Sequence, residues 1–270
     1  SNCGLIGKHA LVYADGVVYW MADSGGFFVY DGTVKSLPCT VEDFVFTTNN
    51  TGDLGISFDQ AKKVYAGYNT LFGEVTWYYP KSGSTNIDRS VTFNYTENTW
   101  TTGSLARTTY YDAQIFDHPY ATEFASAGTP TFPTIKGVTN VNGATTFYEH
   151  EKGVDQVNSS GTTAILANVQ SGDFQLAIDG NGEFFTKIRR FIPDFKRITG
   201  DARVTINLKD FPVDTAASSP LGPFTISSST QKVDTRARGR AASLKIENTS
   251  TGQSWRYGTF RADVQPDGRR

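Results

Sequence analysis

The run from His9 to Leu37, HALVYADGVVYWMADSGGFFVYDGTVKSL, decides the fold. Ala10 to Tyr13, Val17 to Met21, Phe27 to Tyr30 and Val34 to Leu37 are built from β-branched and aromatic residues, which fit a pleated, half-buried surface. Between them Asp15-Gly16, Asp23-Ser-Gly-Gly26 and Asp31-Gly32 supply tight turns, because glycine reaches positive φ without a steric penalty. Four short strands joined by hairpin turns, at this spacing, make one blade of a propeller-like array.

Working outward, residues 64–105 repeat the logic with Val64 to Gly67, Glu74 to Tyr79 and Ser90 to Tyr95, closing on Tyr95-Thr-Glu-Asn-Thr-Trp100. Trp20, Trp77 and Trp100 are expected to pack blade against blade rather than to offer sugar platforms. Two short helices are expected between the units. One starts at Thr40-Val-Glu-Asp43 before Phe44-Val-Phe46, the other at Ser57-Phe-Asp-Gln60 before Ala61-Lys-Lys63, both resembling capping boxes. Residues 112–145 read as loop, with Pro119, Pro130 and Pro133. Strands resume at Thr145 to His150 and Ala164 to Ala167. Phe174 to Ile178 and Glu183 to Phe191 flank Asp179-Gly-Asn-Gly182, a hairpin signal. Arg203 to Leu208 and Phe224 to Ser227 follow, separated by a loop over residues 212–223.

The end of the chain, from Thr235 to Arg270, is where arginine concentrates. Ser243, Lys245 and Glu247 alternate with Leu244 and Ile246, and Arg261, Asp263 and Gln265 alternate with Ala262 and Val264. With Asn248-Thr-Ser-Thr-Gly252 read as a turn, these two runs predict a terminal hairpin. Arg236, Arg238, Arg240, Arg256, Arg261, Arg269 and Arg270 then sit on or beside it as a shaped basic surface. Period two puts Arg236, Arg238 and Arg240 on one face, with Ala237 and Gly239 opposite.

Composition supports an all-β chain: 19 Phe, 13 Tyr and 26 Gly stand beside a single Met. The formal net charge is only −2, yet it is unevenly spread. Residues 1–182 carry 18 acidic against 9 basic side chains, and residues 183–270 carry 16 basic against 9 acidic. The expectation is a β-propeller-like body of antiparallel blades over 1–182 and a basic C-terminal β region over 183–270, ending in the hairpin extension. An acidic body and a basic end suit head-to-tail contact between copies. The chain opens on Ser1 in mid-pattern, so a missing N-terminal part is expected.

Several runs resemble one family. Thr235-Arg-Ala-Arg-Gly-Arg240, Leu244-Lys-Ile-Glu247, Ser254-Trp-Arg-Tyr-Gly258 and Pro266-Asp-Gly-Arg-Arg270 resemble the C-terminus of the tail hub or nozzle proteins of short-tailed bacteriophages, the packaged-DNA stabilisation group. Tyr19-Trp-Met21, Gly26-Phe-Phe-Val-Tyr-Asp-Gly32, Phe72-Gly-Glu-Val-Thr-Trp-Tyr-Tyr-Pro80 and Arg189-Arg-Phe-Ile-Pro-Asp194 are similar to it as well. The resemblance implies a structural virion protein, assembled in the host cytoplasm and resident in the phage tail. It implies a ring of copies, a hexamer, against portal, adaptor and other tail proteins. Such a ring retains packaged double-stranded DNA and lets it pass at ejection. A channel of that kind should hold DNA weakly, so the arginines are assigned to subunit or partner contacts.

Catalytic chemistry finds little support. His9, His118 and His150 are scattered and form no zinc pattern with Cys3 or Cys39, which are expected to be reduced. Asp179-Gly-Asn181-Gly-Glu183 alternates oxygen ligands but lacks the rest of a calcium loop. Asp117-His118 lacks a nucleophile elbow. Glu149 and Glu151 alternate on a strand and are the one pair suited to glycoside hydrolysis. No catalytic residue, metal or cofactor is expected. Sequons at Asn49, Asn94, Asn158 and Asn248 are read as accidents of composition. No apolar run approaches a membrane span, and no membrane insertion is expected. The alternatives are a propeller-type glycan-binding or glycan-hydrolysing protein and, less in keeping with the absence of fibre-like repeats, a receptor-binding fibre head.

Overall fold

The computed structural model describes residues 3–47, 55–124, 145–158, 161–176, 184–211 and 219–268. The protein is all-β: 54% of it is strand and 5% helix, and the sheets are antiparallel. It divides into two compact units, Ser1–Lys152 and Gly153–Arg270.

Among the described residues, the first unit holds three sheets. β1 (Leu11–Ala14), β2 (Val17–Met21), β3 (Phe27–Tyr30) and β4 (Val34–Leu37) form a four-stranded meander in sequence order. A short helix, α1 (Glu42–Phe46), and a 3₁₀ turn over Phe58–Lys63 lead to the next meander. Both stand where the sequence placed them, but neither is capped as expected. The cap position of α1 falls on Val41 rather than Thr40, and Ser57 makes no side-chain cap bond. The second meander is β5 (Tyr65–Asn69), β6 (Glu74–Tyr79), β7 (Arg89–Asn94) and β8 (Thr99–Gly103). β9 (Thr109–Tyr111), β10 (Tyr120–Phe124) and β11 (Thr145–Glu149) make a three-stranded sheet in the order β11-β10-β9.

The first strands of successive sheets are neighbours. Ala66 N–H donates to the His9 carbonyl at 2.7 Å beside a parallel His9–Tyr65 bridge, and β5 also neighbours β9. Gly67 permits that second approach, since a Cβ there would lie 2.8 Å from the Tyr110 side chain. The core between the meanders is aromatic. Phe27 sits 4.7 Å from both Trp77 and Trp100, ring centre to ring centre, and Trp100 lies 4.8 Å from Phe93. Each buried indole finds an acceptor: Trp77 Nε1 donates to the Ala10 carbonyl at 3.0 Å and Trp100 Nε1 to that of Pro38 at 2.9 Å. Burying the rings therefore leaves these donors satisfied.

The second unit starts earlier than the expected boundary at 182/183. β12 (Asp155–Asn158) and β13 (Gly161–Ala164) form a hairpin. β14 (Asn168–Gln170) and β15 (Phe174–Gln175) pair with a strand near the C-terminus, which fastens residues 168–175 to this unit. β16 (Thr186–Ile192), β17 (Phe195–Thr199), β18 (Ala202–Lys209), β19 (Ser219–Ile226), β20 (Val233–Gly239), β21 (Ala241–Glu247), β22 (Ser254–Tyr257) and β23 (Arg261–Pro266) complete it. The expected terminal hairpin does not form. β21 pairs with β18, β14 and β15, whereas β23 pairs with β16 in a different sheet, β20-β16-β23. The intervening Ser254-Trp-Arg-Tyr257 is itself a strand and pairs with β17, so the two alternating runs are drawn to separate partners. Likewise β15 and β16 do not pair with each other, and the turn at 179–182 lies outside the described residues.

One aliphatic core serves these sheets: Ile188, Val204, Ile206, Leu208, Ile226 and Ile246 are all but fully buried, with Phe191 among them. β18 alternates buried and part-exposed residues along its whole length, as a strand with one covered face should.

Candidate interaction surface

The outward face of sheet β20-β16-β23 collects basic residues from three distant parts of the chain. On β20, Ala237 is buried and Arg236 and Arg238 are exposed. The predicted ladder thus exists with two rungs. Arg240 lies past the strand end, half-buried, with its guanidinium 4.6 Å from the Phe185 ring centre and 5.1 Å from that of Phe211. β16 adds Lys187, Arg189 and Arg190. A bulge between Ile188 and Arg190 lets two consecutive arginines turn away from a core that takes Ile188 and Phe191 on either side. β23 adds Arg261.

Ion pairs hold part of this set. Arg238 Nε lies 2.8 Å from Asp267 Oδ2 with its guanidinium 3.9 Å from the Phe185 ring centre. Arg261 Nη2 lies 3.4 Å from Asp194 Oδ2, and Arg190 stands 3.6 and 3.7 Å from Asp234 and Asp263. Two cross-strand pairs are of like charge. Lys187 faces Arg238, and Arg197 of β17 faces Arg256 of β22. All four are exposed. Phe195, Ile198, Trp255 and Tyr257 turn to the core, so β17 and β22 present Lys196, Arg197 and Arg256 outward and no carboxylate. Like charges directly opposite are destabilising in a sheet.

Of the residues singled out in the sequence, Arg236, Arg238, Arg256 and Arg261 are thus exposed, and Arg240 is half-buried. Arg269 and Arg270 lie outside the described residues. Lys187, Arg189, Arg190 and Arg197 were missed as site residues. The pattern Lys187-Ile-Arg-Arg, charged around a single buried apolar residue, carried the signal.

The other candidates disperse. Glu149 ends β11 and pairs with Lys152 at 2.7 Å. Glu151 does not share a strand face with it, because the chain turns left-handed there (φ 58). Instead Glu151 accepts a hydrogen bond from Asn69 Nδ2 at 3.1 Å. Burial lifts Glu151 above the ordinary carboxylate range, and burial with the nearby Glu151 charge does the same to Glu74. His150 is held neutral: burial and the adjacent Arg107 guanidinium pull it down to about 4. Arg107 Nε donates to its Nε2 at 2.8 Å, while Arg107 Nη1 reaches Glu123 at 3.1 Å. Asp117 is exposed. The oxygen-rich loop at 179–183 and Asn49 lie outside the described residues. Asn248 is buried, its amide spanning Ala167 N–H at 2.6 Å and the Ile165 carbonyl at 2.7 Å, which leaves no access for a glycan. Among the described residues no group of three His, Cys, Asp or Glu side chains could hold a metal ion, and no helix is long and apolar enough to cross a membrane.

No family model matches the chain, and neither does any curated protein. Among solved structures, a glycoside hydrolase aligns over 93% of this chain and 85% of its own, at 11% identity and a TM-score of 0.26. An exo-β-1,3-galactanase from Phanerochaete chrysosporium aligns over 94% of this chain and 54% of its own, at 12% identity and a TM-score of 0.13.

Proposed function

We propose that this chain is a structural component of a short phage tail, a hub or nozzle subunit that forms a closed ring, retains packaged DNA and conducts it at ejection. In this reading the meanders β1–β4 and β5–β8 and the sheet β9–β11 are successive blades of a propeller-like body. The observation that carries it is the like-charge crossing Arg197–Arg256, exposed on two strands that carry no carboxylate; the Lys187–Arg238 crossing is already relieved in part by Asp267. A sheet keeps such pairs against their mutual repulsion when an acidic partner relieves them. Residues 1–152 of a neighbouring copy offer one, with 15 acidic against 9 basic side chains.

The test replaces Arg236, Arg238 and Arg256 together by Gln. Wild type should sediment as a ring with a central hole by negative stain. The triple variant should stay folded and small, and DNA binding by the wild type should be weak. Normal assembly of the variant, with tight and salt-sensitive DNA binding lost on mutation, would reassign these residues to nucleic acid. A second reading, a glycan hydrolase, draws on the half-buried Glu74 and on Glu151 near it, both lifted above the ordinary carboxylate range. Polysaccharide turnover abolished by Glu151→Gln would replace the structural reading with it.

A further inference from the structure

The sheet β9–β11 has two unlike faces. Toward the second meander it turns Tyr110, Ala121 and Tyr148. Ala121 is 2% exposed, Tyr110 fills the space left by Gly67, and Arg107 caps Tyr148 with its guanidinium 3.8 Å from the ring centre. The opposite face is open. Register places Tyr111, Tyr120 and Glu149 in one cross-strand row and Thr109, Thr122 and Phe147 in the next. Tyr111 is 47% exposed, Phe147 43%, and Phe116, folded back from the β9–β10 loop, 48%.

These rings brace one another. Phe116 meets Tyr111 edge-on at 5.9 Å and Tyr120 at 5.1 Å, and Tyr120 stacks on Phe147 at 5.0 Å. Their positions are therefore fixed before anything binds, which lowers the ordering cost of binding. Ile115, 78% exposed, extends the apolar area at the loop.

The polar groups on this face select the occupant. A protein hot spot has a centre depleted of charge, whereas here Glu149 shares a row with two tyrosines. A nucleic acid requires a cationic track beside its stacking rings. Here Lys152 is bonded to Glu149 at 2.7 Å, and Asp117 adjoins Phe116. What remains are ring faces within one strand spacing, about 4.8 Å, of tyrosine and threonine hydroxyls and a carboxylate. Thr109 and Thr122 already share a hydrogen bond at 2.7 Å and keep further lone pairs. That combination fits a ligand with C–H faces and many hydroxyls but no charge. We infer that the outward face of β9–β11, with Phe116, is a binding platform for neutral saccharides, with Tyr111, Phe116 and Phe147 as stacking rings and Glu149 as hydroxyl acceptor.

The inference stands apart from ring formation and from turnover. Its test measures binding of the purified chain to immobilised neutral hexose oligosaccharides, with uronate oligosaccharides of equal length alongside. Phe116→Ala and Tyr111→Ala should each weaken neutral-sugar binding about tenfold, the loss of roughly one stacking contact. Phe72→Ala, which removes an exposed ring outside this face, should leave it unchanged. Glu149→Gln, which keeps the shape of the side chain, should also weaken it. Uronates should bind more weakly than neutral sugars, because the face is acidic. Absence of neutral-sugar binding by the wild type, binding confined to uronates, or equal binding by wild type and the Tyr111 and Phe116 variants would overturn the inference, whether or not rings assemble.

Discussion

Residues 1–152 and 153–270 solve the same problem, covering antiparallel sheets, with different materials. The first unit fills the space between successive meanders with rings: Tyr19, Phe27, Trp77, Tyr79, Phe93 and Trp100. The second uses branched aliphatics, Ile188, Val204, Ile206, Ile226 and Ile246. The connectivity differs in the same sense. Every strand of the two meanders pairs with its neighbour in sequence, whereas β16 pairs with β20 and β23, and β18 with β21. A meander has little area of its own, so large rings do the covering, with the Trp77 and Trp100 indoles bonded to the backbone carbonyls of Ala10 and Pro38, at either end of the first meander. Sheets assembled from distant strands meet face to face at a regular spacing of about 10 Å, which β-branched side chains fill in preferred rotamers. The surfaces diverge too: among the described residues, only the second unit sets like charges opposite each other in a sheet.

The largest effects should come from breaking either core. Trp77→Ala removes a fully buried ring that touches Phe27 and Trp100 and should cost about 3–5 kcal/mol; Ile206→Ala should cost about 2–5 kcal/mol. With separate cores, calorimetry should show two transitions, each moved by its own substitution. A shared shift of both transitions in either variant would show that the two cores act as one.

A pH titration sharpens the contrast at the next level. His150 in the first unit is pulled down to about 4, from about 6.5 when exposed. Unfolding therefore takes up a proton between these values, and the contribution of neutral His150 is complete above about 6.5 and lost as pH falls toward 4. The full effect is on the order of 3 kcal/mol. Glu74 and Glu151 work in the opposite direction: lifted above the unfolded value, they withdraw stability as pH rises. The first transition should fall on acidification, and His150→Gln, which still offers Arg107 an acceptor, should flatten that limb. An unchanged slope in the variant would rule out His150 as the source.

The same contrast explains what could be read from sequence. The first meander and the first three strands of the second were legible to within about two residues, because adjacent strands and glycine turns encode both pairing and register locally; β8, Thr99–Gly103, was read only as the end of a closing turn. Trp77 and Trp100 likewise declared themselves as core. The second unit was legible as strands but not as a topology. Alternation in Ser243–Glu247 and Arg261–Gln265 says that each strand has one covered face and nothing about which sheet covers it. The hairpin inferred from Asn248–Gly252 failed for that reason, since Ser254–Tyr257 takes the turn into another pairing. The basic surface was half legible. Arg236 and Arg238 follow from period two, and Lys187-Ile-Arg-Arg190 shows charge around one apolar residue, but not the bulge that turns the half-buried Arg190 away from the core beside the exposed Arg189. The aromatic face of β9–β11 escaped for a different reason. Phe116 sits in a proline-flanked loop, and only folding returns it to Tyr111 and Tyr120.

The smallest expected effect bears most directly on the charge contrast. Arg197 and Arg256 face each other across two strands that carry no carboxylate. If that crossing is a cost borne within the second unit, Arg256→Glu should relieve it by setting opposite charges in the same register. The expected gain is about 0.2–1 kcal/mol, a rise of a few degrees at most in the second transition. It should shrink as salt rises, because both groups are exposed and screened. Arg256→Gln should gain less, since it removes the repulsion without adding attraction. The same Arg256→Glu variant should assemble less well than wild type, so that stability and assembly move in opposite directions. A fall in the second transition at low salt would mean that Arg256 is already compensated inside its own chain, and the like-charge crossing would then say nothing about a partner.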